Sequence, residues 1–248
     1  MPIHEDTVRK FEEHLLNSWP SQRTVMCNGW IFRRANGYTK RANSACAVAA
    51  QRVFSSTLDH AETFYASFGS ATIFRMTPLA GAEPDRMLEN RGYRVVDETI
   101  VKTTPLSGAY ARDPSVQIGS ACSDIWETGY ADAHALDEGQ RQAHRAILDG
   151  IAPLPTAFAQ VHDGDRAIAF GLGVIERGSL GLFDIVTVPD ARRKGAARKL
   201  VAGLMNWGST QGARAAWLGV IADNEKALPL YEQFGFRECY RYHYRVSS

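Results

Sequence analysis

The sequence predicts a mixed α/β (α+β) fold, a mostly antiparallel sheet flanked by helices. Helical and strand periodicities alternate along the chain, and three strand-like segments separated by tight-turn residues follow one another from Thr156 to Val188. Beyond them helix and strand take turns, so antiparallel pairing gives way to a helical crossover and the sheet is mixed.

Taken in order, the opening segment spaces Val8, Phe11, Leu15 and Leu16 as one face of a helix that stops at Trp19-Pro20. VMCNGWIF then holds Asn28-Gly29 between apolar residues, a hairpin signal, and Asn36-Gly37 repeats the turn chemistry. Ser56 to Phe68 reads as helix, IFRM as a short strand, DRMLENRGY as a helix ended by Gly92, and VVDETIVKT as a strand. Small residues and proline gather between Pro105 and Pro114, which places a domain boundary there and divides the chain into 1–110 and 115–248. Past it, DIWETGYADAH and EGQRQAHRAILDG are helical, and the three strands turn at Asp163-Gly164-Asp165 and Arg177-Gly178. LENRGYRVVDETIVKT and YEQFGFRECYRYHYRV share a helix end, a glycine, an aromatic, an arginine and a following strand. Two related halves and a chance likeness of two corners both account for this.

Composition narrows the classes. The 28 Lys and Arg nearly cancel the 27 Asp and Glu, so no global field draws the chain to nucleic acid or an anionic membrane. The N-terminus lacks an apolar core segment and no run of about 18 apolar residues occurs, which predicts neither export nor a membrane span and places the chain in the cytoplasm. Cys27, Cys46, Cys122 and Cys239 are scattered without a C-x-x-C pair, and His134 and His144 have no accompanying carboxylate spacing. Reduced thiols, surface or packing histidines and no metal are expected.

The chemistry concentrates in LFDIVTVPDARRKGAARKLVAGLMNWG. A strand from Leu182 to Val188 ends at Pro189, and a loop with Arg192, Arg193, Lys194 and Gly195 runs into a helix whose apolar face is Ala197, Leu200, Val201 and Leu204. Cations at a helix N-terminus oppose its dipole, so this basic start calls for an anion. The unpaired N–H groups of a first helical turn, beside a glycine, suit a pyrophosphate.

This loop, Arg192-Arg193-Lys194-Gly195-Ala196-Ala197, resembles the acetyl-CoA signature [Q/R]-x-x-G-x-[G/A] of the GCN5-related N-acetyltransferase superfamily. A second block, from Asn224 through Ala227, Leu230 and Tyr231 to Gly235-Phe236, resembles that superfamily's N-x-x-A-x-x-L-Y-x-x-x-G-F helix. The resemblance covers about half of the chain and implies a GNAT-type fold there, preceded by a degenerate GNAT-like copy or an accessory domain.

It also implies a division of labour. Ile185, Val186 and Thr187 would bind the pantetheine arm, with one N–H polarising the thioester carbonyl. The amides of Arg193, Lys194, Gly195, Ala196, Ala197 and Arg198, with Arg192, would hold the pyrophosphate of acetyl-CoA. Asn224 would cap the next helix and touch the cofactor arm, and Tyr231 would protonate the departing thiolate. Relatives that acetylate protein N-termini carry a Glu where this chain has Gly219, so the base is sought at Asp184 or Glu176, and the acceptor is a small-molecule or peptide amine. Pro229 is expected to break a helix interior, and Arg193, where relatives have glycine, to take a negative φ. A non-catalytic acyl-CoA sensor is the rival reading, and nucleic-acid binding by Arg192–Lys199 a distant third. Trp19, Trp30 and the GYTKRANS run suggest either an acceptor pocket or a solvated hairpin edge.

Overall fold

A computed structural model describes residues 4–49, 53–107, 110–151 and 153–248. Gly108 and Ala109, inside the expected boundary, and residues 1–3 of the N-terminal segment lie outside them.

Helix α1 (Glu5–Ser18) buries Val8, Phe11 and Leu15, three of its four apolar stripe residues. Asn28 and Gly29 both take positive φ, 47° and 79°. Both central residues of a type I′ turn need that conformation, and its twist matches the strands it joins. Strand β1 (Arg23–Cys27) therefore folds back antiparallel on β2 (Trp30–Arg34). Asn36-Gly37 repeats the positive φ but leads into a loop and a single 3-10 turn at Lys40–Ala42. Strand β3 (Ala45–Ala47) follows, too short for its periodicity to show in the sequence. Next come α2 (Ser55–Ala66), β4 (Ile73–Met76), α3 (Ala82–Asn90) and β5 (Arg94–Pro105). The remainder is β6 (Val116–Gly119), α4 (Asp124–Ala133), α5 (Glu138–Asp149), β7 (Thr156–Asp163), β8 (Arg166–Glu176), β9 (Ser179–Thr187), α6 (Ala196–Thr210), β10 (Ala215–Ile221), α7 (Leu228–Gln233) and β11 (Arg237–Val246).

Two compact units result. The first comprises Met1–Val101, Gly219–Asn224 and Glu238–Ser248, and the second Lys102–Leu218 and Glu225–Arg237. Within the first, strands follow the order β1-β2-β3-β4-β11-β5; within the second, β10-β9-β8-β7-β6. The pairs β1–β2, β2–β3, β4–β11, β6–β7, β7–β8 and β8–β9 are antiparallel, and β3–β4 and β9–β10 are parallel. This is the mixed, mostly antiparallel sheet architecture expected.

The first unit is built around an aromatic triangle, with Trp30, Phe54 and Phe74 at centroid distances of 5.3 to 5.4 Å. Beside it lie buried charges. Arg75 pairs with Glu12, whose other oxygen accepts the Tyr240 hydroxyl, and the Tyr242 ring lies 3.8 Å from the Arg75 guanidinium. Burial alone would lower the Arg75 pKa, but Glu12 and the tyrosines outweigh it and hold the guanidinium charged. Arg33 donates to the carbonyls of Arg41, Leu16 and Trp19, and burial pulls its pKa below the ordinary value.

In the second unit β8 is covered on both faces. An added Cβ at Gly171 would meet Ile185 on β9 and Leu200 and Leu204 of α6, whereas neighbouring Phe170 points at α4. Gly129 of α4 is where that ring comes closest: a Cβ there would lie 2.1 Å from Phe170 Cζ. Phe170 is buried and cannot swing aside freely. Gly129→Ala should therefore destabilise the protein by about 2 kcal/mol despite alanine's better helix propensity. A urea midpoint equal to or above the wild type's would contradict this.

Candidate acetyl-transfer site

The site is assembled along β9 and the start of α6, both in the second unit. On one edge β9 pairs with β8, but the register shifts: Leu172 faces Phe183 while Phe170 faces Val186. Two residues, Asp184 and Ile185, thus oppose Gly171 alone, a β-bulge, and Asp184 takes a φ of 53°. On the other edge, the parallel pairing with β10 covers Ser179–Gly181 against Ala215–Trp217. Among the described residues no register pair with β10 continues past Gly181, although the strand runs on to Thr187. Ile185, Val186 and Thr187 lie on this continuation, half-buried or nearly buried.

Beyond β9 the chain makes a 3-10 turn, Pro189–Ala191. Arg166 fixes it by two contacts to the Asp190 carboxylate, 2.6 and 3.1 Å, and that hydrogen bonding holds Asp190 below its ordinary pKa. Arg192 turns back and donates from Nε to the Thr187 carbonyl at 3.2 Å, while Arg193, Lys194 and Gly195 are exposed. Gly195 occupies the N-cap position of α6 with φ 85°, contributes no side-chain cap, and an added Cβ would meet nothing within 4 Å. The first-turn amides of Ala196, Ala197 and Arg198 open onto this exposed basic loop, with no acidic side chain in the turn. That donor set fits a diphosphate group, which needs N–H donors and positive potential together. The buried face of α6 runs through Ala196, Leu200 and Leu204 at four-residue spacing, and the expected Ala197 is only partly buried.

Arg193 departs from expectation in the other direction. Its φ is 62°, the left-handed region that an L-residue enters at a cost of about 1 kcal/mol or more. Arg193→Gly should relieve that strain and raise stability by roughly 0.5 kcal/mol after glycine's larger unfolded-state entropy is counted. A lower melting temperature for this variant would show that the Arg193 side chain contributes packing that outweighs the strain.

Behind the bulge, Asp184 is held from two helices. Tyr130 of α4 donates its hydroxyl to Oδ1 at 3.1 Å, and His144 of α5 meets Oδ2 through Nε2 at 2.9 Å. The Asp184 side chain is 7% exposed and that of His144 2%. Tyr130 also lies parallel to Trp126, with centroids 5.2 Å apart, and tilts against His144 at 4.5 Å. His144 is therefore a packing histidine that also carries a polar contact, which its separation of 40 residues from Asp184 concealed. A hint lay in its place on the buried stripe of α5 with Ala143, Ile147 and Leu148. Glu176 is not brought to this group. It stands at the hairpin end of β8, paired in register with Ser179 and contacting Arg177 at 3.4 Å.

Tyr231 lies in α7, 8% exposed, its ring edge-on to Phe236 at 5.9 Å. Burial pushes its pKa up to about 12, so the phenol is protonated throughout the physiological range. Pro229 does not break the helix as expected: α7 begins at Leu228, so the proline falls in the first turn, where no N–H is required. The same late start removes Asn224 from the capping position. Ala227 holds it without a side-chain hydrogen bond, and the Asn224 N–H donates to the Ile221 carbonyl at 3.0 Å. Among the described residues no group of three or more metal-ligating side chains occurs, and no helix is long and apolar enough to cross a membrane.

The mixed, mostly antiparallel sheet flanked by helices is that of a GCN5-related N-acetyltransferase. The chain is an acyltransferase of that superfamily. Within it, the chain belongs to the family described as "Probable histone acetyltransferase Rv0428c C-terminal", whose model matches residues 6–245. It is 27% identical over 246 residues to a Bacillus subtilis (strain 168) protein described as the uncharacterized N-acetyltransferase YobR, covering 97% of this chain and 99% of that one. It is 38% identical over 75 residues to the [ribosomal protein bS18]-alanine N-acetyltransferase of Salmonella typhimurium, covering 30% of this chain and about half, 51%, of that relative. A solved GCN5-related N-acetyltransferase from Kribbella flavida shares the fold, with a TM-score of 0.71 at 14% identity over 96% of this chain and 95% of that one.

Proposed function

We propose that this chain transfers an acetyl group from acetyl-CoA directly to a primary amine of a small-molecule or peptide acceptor. The observation that carries the reading is the uncapped start of α6 behind the exposed Arg192–Gly195 loop, a donor set made for a diphosphate. In this reading the amides of Arg193 to Arg198, with the Arg192 and Lys194 charges, hold the pyrophosphate. Ile185, Val186 and Thr187 present backbone groups to the pantetheine arm, and one of their N–H groups polarises the thioester carbonyl. The neutral amine attacks that carbonyl, the carbon–sulfur bond breaks, Tyr231 gives its proton to the departing thiolate, and the proton shed by the amide nitrogen passes through water to restore the phenol.

Proton transfer from a phenol near 12 to an alkyl thiolate is uphill by roughly 5 kcal/mol against the thiol's value in water. The burial that raises the phenol also raises a thiolate formed beside it, which narrows the gap. Asp184 has both carboxylate oxygens engaged inside the fold, which favours holding the bulge in register over abstracting a proton. Gly219, where N-terminus-acetylating relatives carry Glu, favours a small-molecule acceptor over a protein terminus.

The first 110 residues are read here as a degenerate copy of the domain at 115–248. Supporting this, α1-β1-β2-β3-α2-β4-α3-β5 repeats the element order α5-β7-β8-β9-α6-β10-α7-β11, and the two like segments of sequence fall at equivalent places in the repeat. The copy has no R-x-x-G-x-A loop and so no diphosphate cradle of the same kind.

Calorimetry with acetyl-CoA, followed by thiol release over a panel of amines, tests the transfer. Saturable binding with amine-dependent release supports it. Binding without release for any amine would return the sensor reading, and no binding would remove the central claim.

A further inference from the structure

The first unit holds a cavity of about 490 Å³ whose lining includes none of the residues assigned above to acetyl transfer. Its walls include Lys40, Arg41, Asp97, Tyr242 and Tyr244, with Ile73 supplying apolar surface. Lys40 Nζ meets Asp97 Oδ2 at 2.8 Å, and both side chains are more than a third exposed. Asp97 adopts a φ of 52° inside β5, an uncommon conformation for a non-glycine residue that concentrates at ligand sites. The Thr99 hydroxyl donates to the Asp97 carbonyl at 3.0 Å and fixes that backbone.

We infer that this cavity binds a small zwitterion, an amino acid with free ammonium and carboxylate groups. The wall offers one carboxylate, Asp97, and a facing ammonium, Lys40, that satisfy each other in the free protein, while the Arg41 guanidinium lies over the Trp19 ring at 5.2 Å. A ligand carrying only an ammonium would take Asp97 and strand Lys40; one carrying only a carboxylate would do the reverse. A zwitterion exchanges the internal ion pair for two intermolecular ones and leaves neither charge unpaired. The volume matches a small ligand, and the tyrosines and Ile73 provide apolar and aromatic surface for its side chain. Gly219 keeps the space open: its own Cβ would sit at ordinary distance, 3.5 Å from Thr99 Cγ2 and 3.8 Å from the Tyr242 hydroxyl, but a longer side chain would extend into the cavity.

The test is calorimetric titration of the full chain, without acetyl-CoA, using L-phenylalanine, L-leucine and L-lysine. Phenethylamine and 3-phenylpropanoate serve as the single-charge analogues of the first. At least one amino acid should bind saturably, and each analogue should bind about tenfold more weakly than L-phenylalanine or not at all. Asp97→Asn and Lys40→Met should each weaken amino-acid binding about tenfold, a charge-assisted contact apiece. Gly219→Leu should abolish it while the melting temperature stays within a few degrees. The inference is overturned if none of the three amino acids binds, if an analogue binds as tightly as its parent, or if binding survives Gly219→Leu. Because acetyl-CoA is absent, failure here is separable from failure of acetyl transfer.

Discussion

Tyr231→Phe should bind acetyl-CoA as tightly as the wild type yet release thiol at least a hundredfold more slowly, the usual scale for losing a positioned proton donor. The substitution deletes one oxygen from a ring that is buried against Phe236, so packing should change little. The decisive reading is the split between binding and turnover: unchanged affinity with collapsed turnover isolates a group that acts in the reaction. The pH profile adds a second check. With the phenol near 12, Tyr231 remains protonated well past pH 10. Its deprotonation should therefore put no alkaline limb below that pH, and activity should rise toward alkaline pH as the acceptor amine loses its proton. A variant retaining more than about a third of wild-type turnover would remove Tyr231 from the reaction, since a proton donor normally contributes a factor of 10² or more.

The largest stability effect is expected at Glu12→Gln. It keeps the shape of the side chain and an acceptor for Tyr240 but leaves Arg75, 1% exposed, as an uncompensated buried charge. Breaking such a pair from one side costs about 3–5 kcal/mol, which lowers the melting temperature of a chain this size by roughly 10 °C. The double variant Glu12→Leu with Arg75→Met removes both charges and should recover much of that loss, because the penalty lies in the stranded charge rather than in the absent bond. Additive losses in the pair would show that the network stabilises by its geometry instead.

The sequence showed the second unit's central strands well because they are apolar runs bounded by turns that carry Asp-Gly and Arg-Gly pairs. The basic Arg192–Gly195 loop running into the start of a helix was legible from charge and glycine alone. The bulge at Asp184 was not, since it arises from a register shift against β8 that no local pattern records. Nor was the grip of Tyr130 and His144 on Asp184, which joins residues 54 and 40 positions apart. Arg193 reads as an ordinary basic loop residue until its positive φ is seen, and Pro229 reads as a breaker until the helix is found to start beside it. Short β3 and β6 escaped because three or four residues are too few for a period to show.

The segment Glu238–Ser248, which holds nearly all of β11, belongs to the first unit, where β11 pairs with β4, and Tyr240 meets Glu12 across 228 residues of chain. During synthesis the N-terminal half therefore emerges from the ribosome lacking a central strand of its sheet. It stays incomplete until residues 238–248 have been made. Its nascent edge at β4 must wait, solvent-exposed, through most of translation. Pairings of such sequence separation slow folding, so this unit is expected to fold late, and deleting β11 should unfold it.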